Sequence, residues 1–214
     1  MDYHIEKTKQ FLLNKLKESI YYKDHPSEGE YRFEHSIRVA NIGKTIAERE
    51  NLNVKNMILG CLLHDIAYCM SFDEMGDWKN HGRLSARIAR PFLLDLGLNA
   101  VDVEEICYGI AIHVDDEADF DGERTELALS IGEADNIDRF DAYRIFEGLK
   151  YNEYDKKSLE EKRTFVKQYL LRLEGKLRNL PTATETGKRM WIEKIDFQTE
   201  FYTKLLKQIE NSTI

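Results

Sequence analysis

The stretch Met57–Met70, MILGCLLHDIAYCM, decides how the chain is read. Apolar residues surround it on nearly every side, which marks a helix at the centre of a core rather than on its surface. Asn53 stands where an N-cap is needed for a helix over residues 54–69. His64 and Asp65 interrupt this apolar run. Burying an unpaired carboxylate costs several kcal/mol, comparable with the net stability of a whole domain. The run itself holds no Lys or Arg after Lys55 that could neutralise Asp65. A divalent cation would satisfy both polar residues together.

Working outward, almost every other segment has helical period. Residues 3–22 carry Ile5, Phe11, Leu12, Leu16 and Ile20, and residues 31–50 carry Phe33, Ile37, Val39, Ile42 and Ile46. Helices are also expected over 83–96, ended near Gly97, and over 101–114, 125–140, 142–151 and 156–178. Pro181 breaks the chain, and Thr182 or Thr184 can cap a last helix reaching about residue 210. Residues 71–80, with Gly76, and the acidic stretch 115–124, with Gly122, read as loops. No alternating strand pattern appears. The expectation is an all-α fold, a single domain over residues 1–214, with the last two helices as a hairpin against the core.

Composition narrows the function classes. The chain has 214 residues, 33% of them charged, with a net charge of -8 and no concentrated basic stretch. A duplex-binding protein needs a basic face, so stable nucleic-acid binding is not expected. A negative surface still admits a small phosphorylated substrate, because a bound cation reverses the local sign. Cys61, Cys69 and Cys107 are odd in number and lack paired spacing, so no disulfide framework is expected. The start, MDYHIEKTKQ, has no apolar segment of a signal peptide, and no run reaches the length of a membrane span. The cytoplasm is the expected location.

The chemistry lies in where the polar residues fall. His35 continues the row Val39, Ile42, Ile46; His113 continues Val103, Ile106, Ile110; Asp135 continues Leu127, Ile131. Three helices thus each place one metal-competent group where an apolar residue is expected. His81 differs, standing in the loop just before a helix and followed by Gly82. Any one of these has an ordinary explanation as a core histidine, a cap or an ion-pair partner. Together they would be several buried polar groups with no shared purpose, unless they share a metal. Imidazole and carboxylate donors suit Zn, Fe or Mn.

The ordered set His35, His64-Asp65, His81, His113, Asp135 resembles the HD-domain superfamily of metal-dependent phosphohydrolases. The contexts also match: FEHSIRVA, LLHDIAY, NHGRLSARIA and EADNIDRFDA. With LPTATETGKRM before the last amphipathic helix, the chain looks most like a bacterial branch of stand-alone HD hydrolases. The resemblance implies an HD core over about 30–150 and a helical extension over about 156–210. It implies that His35, His64, Asp65 and Asp135 hold one ion. In binuclear members the residues matching His81 and His113 are additional ligands and the Asp at position 65 bridges two ions. In mononuclear members they face the substrate phosphate. Both arrangements stay open here, as does the metal: Mn, Fe, Co, Ni, Zn or Mg.

The reaction so implied is hydrolysis of a nucleotide or other small phosphate ester by a metal-activated water. Asp65 would orient that water, and His81 or His113 would stabilise phosphoryl charge or protonate the leaving oxygen. Lys79, Arg83, Arg38 and Arg139 are the cations nearest the motifs and are candidate substrate contacts. A homodimer is compatible with the sequence. Tyr68 stands where several HD families carry Lys or Glu, which disfavours the cyclic-di-GMP phosphodiesterase and 5′-deoxynucleotidase branches. Ile66-Ala67-Tyr68 likewise lacks the acidic pair of alarmone hydrolases. Tyr68 itself is a candidate phosphate or base contact, although the simpler reading is an aromatic at a helix end with its hydroxyl in water. Two other functions compete: a mixed-valent di-iron oxygenase using the same six ligands, and a non-catalytic module that keeps the metal for stability.

Overall fold

Every residue from Asn56 to Leu63 is buried, so the apolar run is indeed a central helix. The computed structural model describes residues 2–70, 77–179 and 182–212. Among these residues the chain is all-α, and it forms two compact units, residues 1–136 and 137–214.

In the first unit, α1 (Tyr3–Glu18) starts where the Asp2 side chain accepts from the His4 and Ile5 N–H groups. Ser19 separates it from α2 (Ile20–Asp24). The single helix expected over 3–22 is therefore two, broken where Ser19 leaves helical geometry. α3 (Pro26–Glu50) begins earlier than expected because Pro26 opens its first turn, where a missing N–H costs nothing. It ends at Asn51 in the left-handed conformation. α4 (Val54–Leu63) is capped by Asn53, as expected, through the Asn56 N–H.

The helix expected over 54–69 stops at Leu63. Asp65 leaves helical geometry (φ -106, ψ 13), and Ile66–Cys69 forms a short 3₁₀ turn. The Ala67 N–H bonds the Ser85 hydroxyl at 3.1 Å instead of a carbonyl one turn back. A hydrophobic pattern cannot reveal that partner, which is 18 residues away. The loop expected over 71–80 lies outside the described residues up to Gly76; Asp77–Asn80 is a second 3₁₀ turn. α5 (His81–Asp95) starts at His81 itself, so this histidine opens the helix rather than preceding it, and Gly97 (φ +89) ends it. α6 (Ala100–Ile112) is capped by Asn99, and α7 spans Glu126–Asp138.

α4 packs against α1, α3, α5 and α6, and α5 runs along α6. Two glycines permit this. A Cβ on Gly60 would lie 2.4 Å from Ile131 of α7, and one on Gly82 would lie 2.5 Å from the Ala111 carbonyl of α6.

The second unit contains α8 (Ala142–Tyr151), α9 (Leu159–Arg178) and α10 (Glu185–Glu210). Ser158 and Glu161 cap α9 reciprocally, and Thr184 caps α10. α9 and α10 form the expected hairpin, with Tyr169 donating to Gln198 and its ring 4.3 Å from that of Tyr202. The break expected at Pro181 lies outside the described residues.

Candidate metal centre

Three of the four motif histidines stand directly after a helical segment: His64 after α4, His81 after the 3₁₀ turn and His113 after α6. The last carbonyls of such a segment lack intrahelical partners. Each ring supplies one. The Nδ1 of His64 bonds the Cys61 carbonyl at 2.7 Å, and that of His113 bonds the Ile110 carbonyl at 2.7 Å. His81 Nδ1 makes the same bond to the Trp78 carbonyl. A carbonyl only accepts, so Nδ1 carries the proton and Nε2 is left with a lone pair. The local fold thus prepares three imidazoles to ligate through Nε2. α3 presents the fourth, His35, from its buried face.

These nitrogens converge on two carboxylates. Asp135 Oδ1 lies 3.2 Å from His35 Nε2 and 3.6 Å from His64 Nε2. Asp65 Oδ2 lies 3.6 Å from each of the same two nitrogens. The other oxygen of Asp65, Oδ1, faces His81 Nε2 at 3.1 Å and His113 Nε2 at 3.5 Å. Asp65 therefore turns one oxygen to each half of the cluster. All six residues are buried. Among the described residues, two overlapping groups could hold an ion: His35, His64 and Asp135, and His64, Asp65 and His113. His64 Nε2 and Asp65 Oδ1 are buried without a hydrogen-bond partner, a costly state that a coordinated cation would relieve. The donor set fits a divalent metal.

Burial alone would raise the pKa of Asp65. His64, His113, His81 and Arg32 outweigh it and hold the carboxyl well below the usual carboxylate range. Arg32 was not among the sequence-derived candidates. Its Nη1 donates to Asp65 Oδ2 at 2.8 Å. The signal available in the sequence was its place three residues before His35, on the same face of α3. Tyr68 is half-buried, with its ring beneath the Arg32 guanidinium at 3.6 Å and 5.0 Å from the His81 ring. It is thus part of the wall of the site.

The candidate substrate cations are distributed differently. Arg83 is held by a two-pronged pair with Asp115 and by bonds to Asn80 and the Glu117 carbonyl, which tie the start of α5 to the loop after α6. Lys79 is exposed beside the Trp78 ring. Arg38 lies 5.9 Å from the Tyr31 ring. Arg139 is exposed in the second unit.

The chain is similar to known proteins. The HD-domain family model matches residues 32–140. Ribonuclease Y of Mesoplasma florum is 31% identical over 115 residues, which are 54% of this chain but 20% of that protein. The chain thus spans about a fifth of that relative's length. The crystal structure of a predicted HD superfamily hydrolase from an uncultured Thermotogales bacterium shares the fold, with a TM-score of 0.63, 22% identity, and coverage of 93% of this chain and 91% of that one. No helix among the described residues is long and apolar enough to cross a membrane. The family model covers about half of the chain and takes in every residue of the buried cluster, so this chain belongs to the HD-domain family.

Proposed function

We propose that the protein is a metal-dependent phosphohydrolase acting on a nucleotide or another small phosphate ester. The observation that carries this reading is the division of Asp65 between two sets of imidazoles, Oδ2 toward His35 and His64 and Oδ1 toward His81 and His113. His35, His64, Asp135 and Asp65 would hold one ion. His81 and His113, with Asp65 Oδ1, offer a place for a second. A divalent ion bound there supplies a water of lowered pKa and a Lewis acid for the phosphoryl oxygen.

The chain's own residues do the rest. Asp65, kept ionised by its neighbours, would accept a hydrogen bond from the nucleophilic water and orient it. His81 and His113, where they do not ligate and carry a second proton on Nε2, would stabilise phosphoryl charge or protonate the leaving oxygen. The net charge of -8 favours a small ester over a long polyanion.

The test is metal analysis of anaerobically purified protein, followed by a screen of nucleotides and simple phosphate esters with Mn, Co, Fe and Mg. Phosphate release that is lost in a folded Asp65→Ala variant is expected. Hydrolysis by that variant at the wild-type rate would sink the reading. Oxygen consumption by a di-iron form without phosphate release would point to an oxygenase instead.

A further inference from the structure

Arg32 occupies an unusual position for a cation. Its guanidinium donates to Asp65 Oδ2, the oxygen that also faces His35 and His64. Its side chain keeps 27% of its surface exposed, whereas Asp65 keeps 3%. Arg32 therefore stands at the rim of the buried cluster, between the carboxylates and the outside. Burial disfavours its charge, but Asp65 and the nearby tyrosines offset this, so it remains cationic.

Its orientation is held from several sides. The guanidinium carbon lies 3.6 Å from the Tyr68 ring centroid, a stacking distance. The buried Tyr22 of α2 lies near enough for the guanidinium charge to act on its hydroxyl, whose pKa burial raises. Tyr22 packs against Gly29, where a Cβ would lie 3.2 Å from it, so α2 is seated closely on the first turn of α3. A guanidinium has five donors in one plane. One goes to Asp65, which leaves donors in a fixed plane beside the metal-competent oxygens.

From this arrangement we infer that Arg32 contacts a non-bridging oxygen of the substrate phosphate, and that Tyr68 is a positioning residue acting through it. This rests on the phosphohydrolase reading above and adds the residues that recognise the phosphate. A planar fork locked by stacking is prepaid in orientation, and it matches a tetrahedral oxyanion in a way that a mobile ammonium does not. Tyr68 contributes its ring face.

The experiment uses the full chain loaded with Mn(II) and inorganic phosphate as the probe. Phosphate affinity is measured by calorimetry and Mn(II) stoichiometry by electron paramagnetic resonance. Arg32→Lys is expected to weaken phosphate by about tenfold or more, the size of a lost charge-assisted bond. Tyr68→Leu is expected to weaken it by about fivefold, and Tyr68→Phe, which keeps the ring, by less than about twofold. In the Arg32→Lys background Tyr68→Leu adds nothing, because its effect passes through the guanidinium. Mn(II) stoichiometry stays unchanged throughout. An undiminished Tyr68→Leu effect in that background, or phosphate binding unaffected by Arg32→Lys, overturns the inference. So does loss of Mn(II) from Arg32→Lys, which would make Arg32 a prop of the metal centre. Failure of the Mn(II)-loaded wild type to bind phosphate is a separate outcome; it sinks the phosphohydrolase reading before any variant is compared.

Discussion

His81 and His113, 32 residues apart in sequence, bring their Nε2 atoms to 3.1 Å from each other. Both rings spend Nδ1 on a backbone carbonyl, so two lone pairs face one another beside Asp65 Oδ1. Such a contact is repulsive unless a proton or a metal cation lies at it. His81→Ala or His113→Ala is therefore expected to lower bound metal by one ion while leaving the ion at His35, His64 and Asp135. Hydrolysis should fall by about a hundredfold or more. Elemental analysis of the purified variants checks the first point, and unchanged stoichiometry would refute the two-ion arrangement.

Metal should also stabilise the fold. A ligand that binds only the native state adds about 2.7 kcal/mol at a hundred times its dissociation constant. Thermal unfolding of the first unit's helices is expected to move upward with Mn(II) and back with a chelator. Asp135→Asn should abolish that increment, because Asp135 Oδ1 faces both His35 and His64. A full Mn(II)-dependent shift in this variant would remove Asp135 from the ligand set.

Gly82 is the hinge of the His81–His113 approach. A Cβ there meets the Ala111 carbonyl at 2.5 Å and the Ile110 carbonyl at 3.0 Å. Backbone cannot yield as a side-chain tip does, so Gly82→Ala should cost about 1–3 kcal/mol. It should also weaken metal binding, since Ile110 holds the His113 ring. Gly175→Ala supplies the contrast. It lies inside α9 with no atom near its would-be Cβ, and the change should stabilise by about 0.5–1 kcal/mol. Urea titration of both variants would show the opposite signs.

The Arg83–Asp115 pair gives a pH dependence. The hydrogen bond from Arg83, against a smaller opposing effect of burial, lowers the pKa of Asp115 below 3.8 in the folded chain. A depressed carboxyl contributes stability above its unfolded pKa and loses it as the pH falls through the folded one. Asp115→Asn should thus cost at most about 1 kcal/mol at neutral pH, the scale of a surface pair. The difference from wild type should shrink as the pH falls below 3.8 and vanish once it is below the folded pKa. Denaturation at neutral and acid pH would test this, and a difference that persists in acid would contradict it.

The helices and the candidate ligands were legible because both follow from local pattern. Period and caps such as Asn53 and Thr184 place the helices, and polar groups on apolar stripes single out His35, His113 and Asp135. What surrounds those ligands was not legible. The sequence by itself determined an all-α chain with six metal-competent residues in the order of an HD domain. Only the tertiary structure decided that α4 ends before Asp65, because the hydroxyl that takes the Ala67 N–H comes from α5. It alone also decided that the cation beside Asp65 is Arg32, which lies 33 residues earlier in the chain. Hydrophobic period records which face of a helix is buried, whereas a hydrogen bond or an ion pair between distant segments exists only once the helices have been packed together.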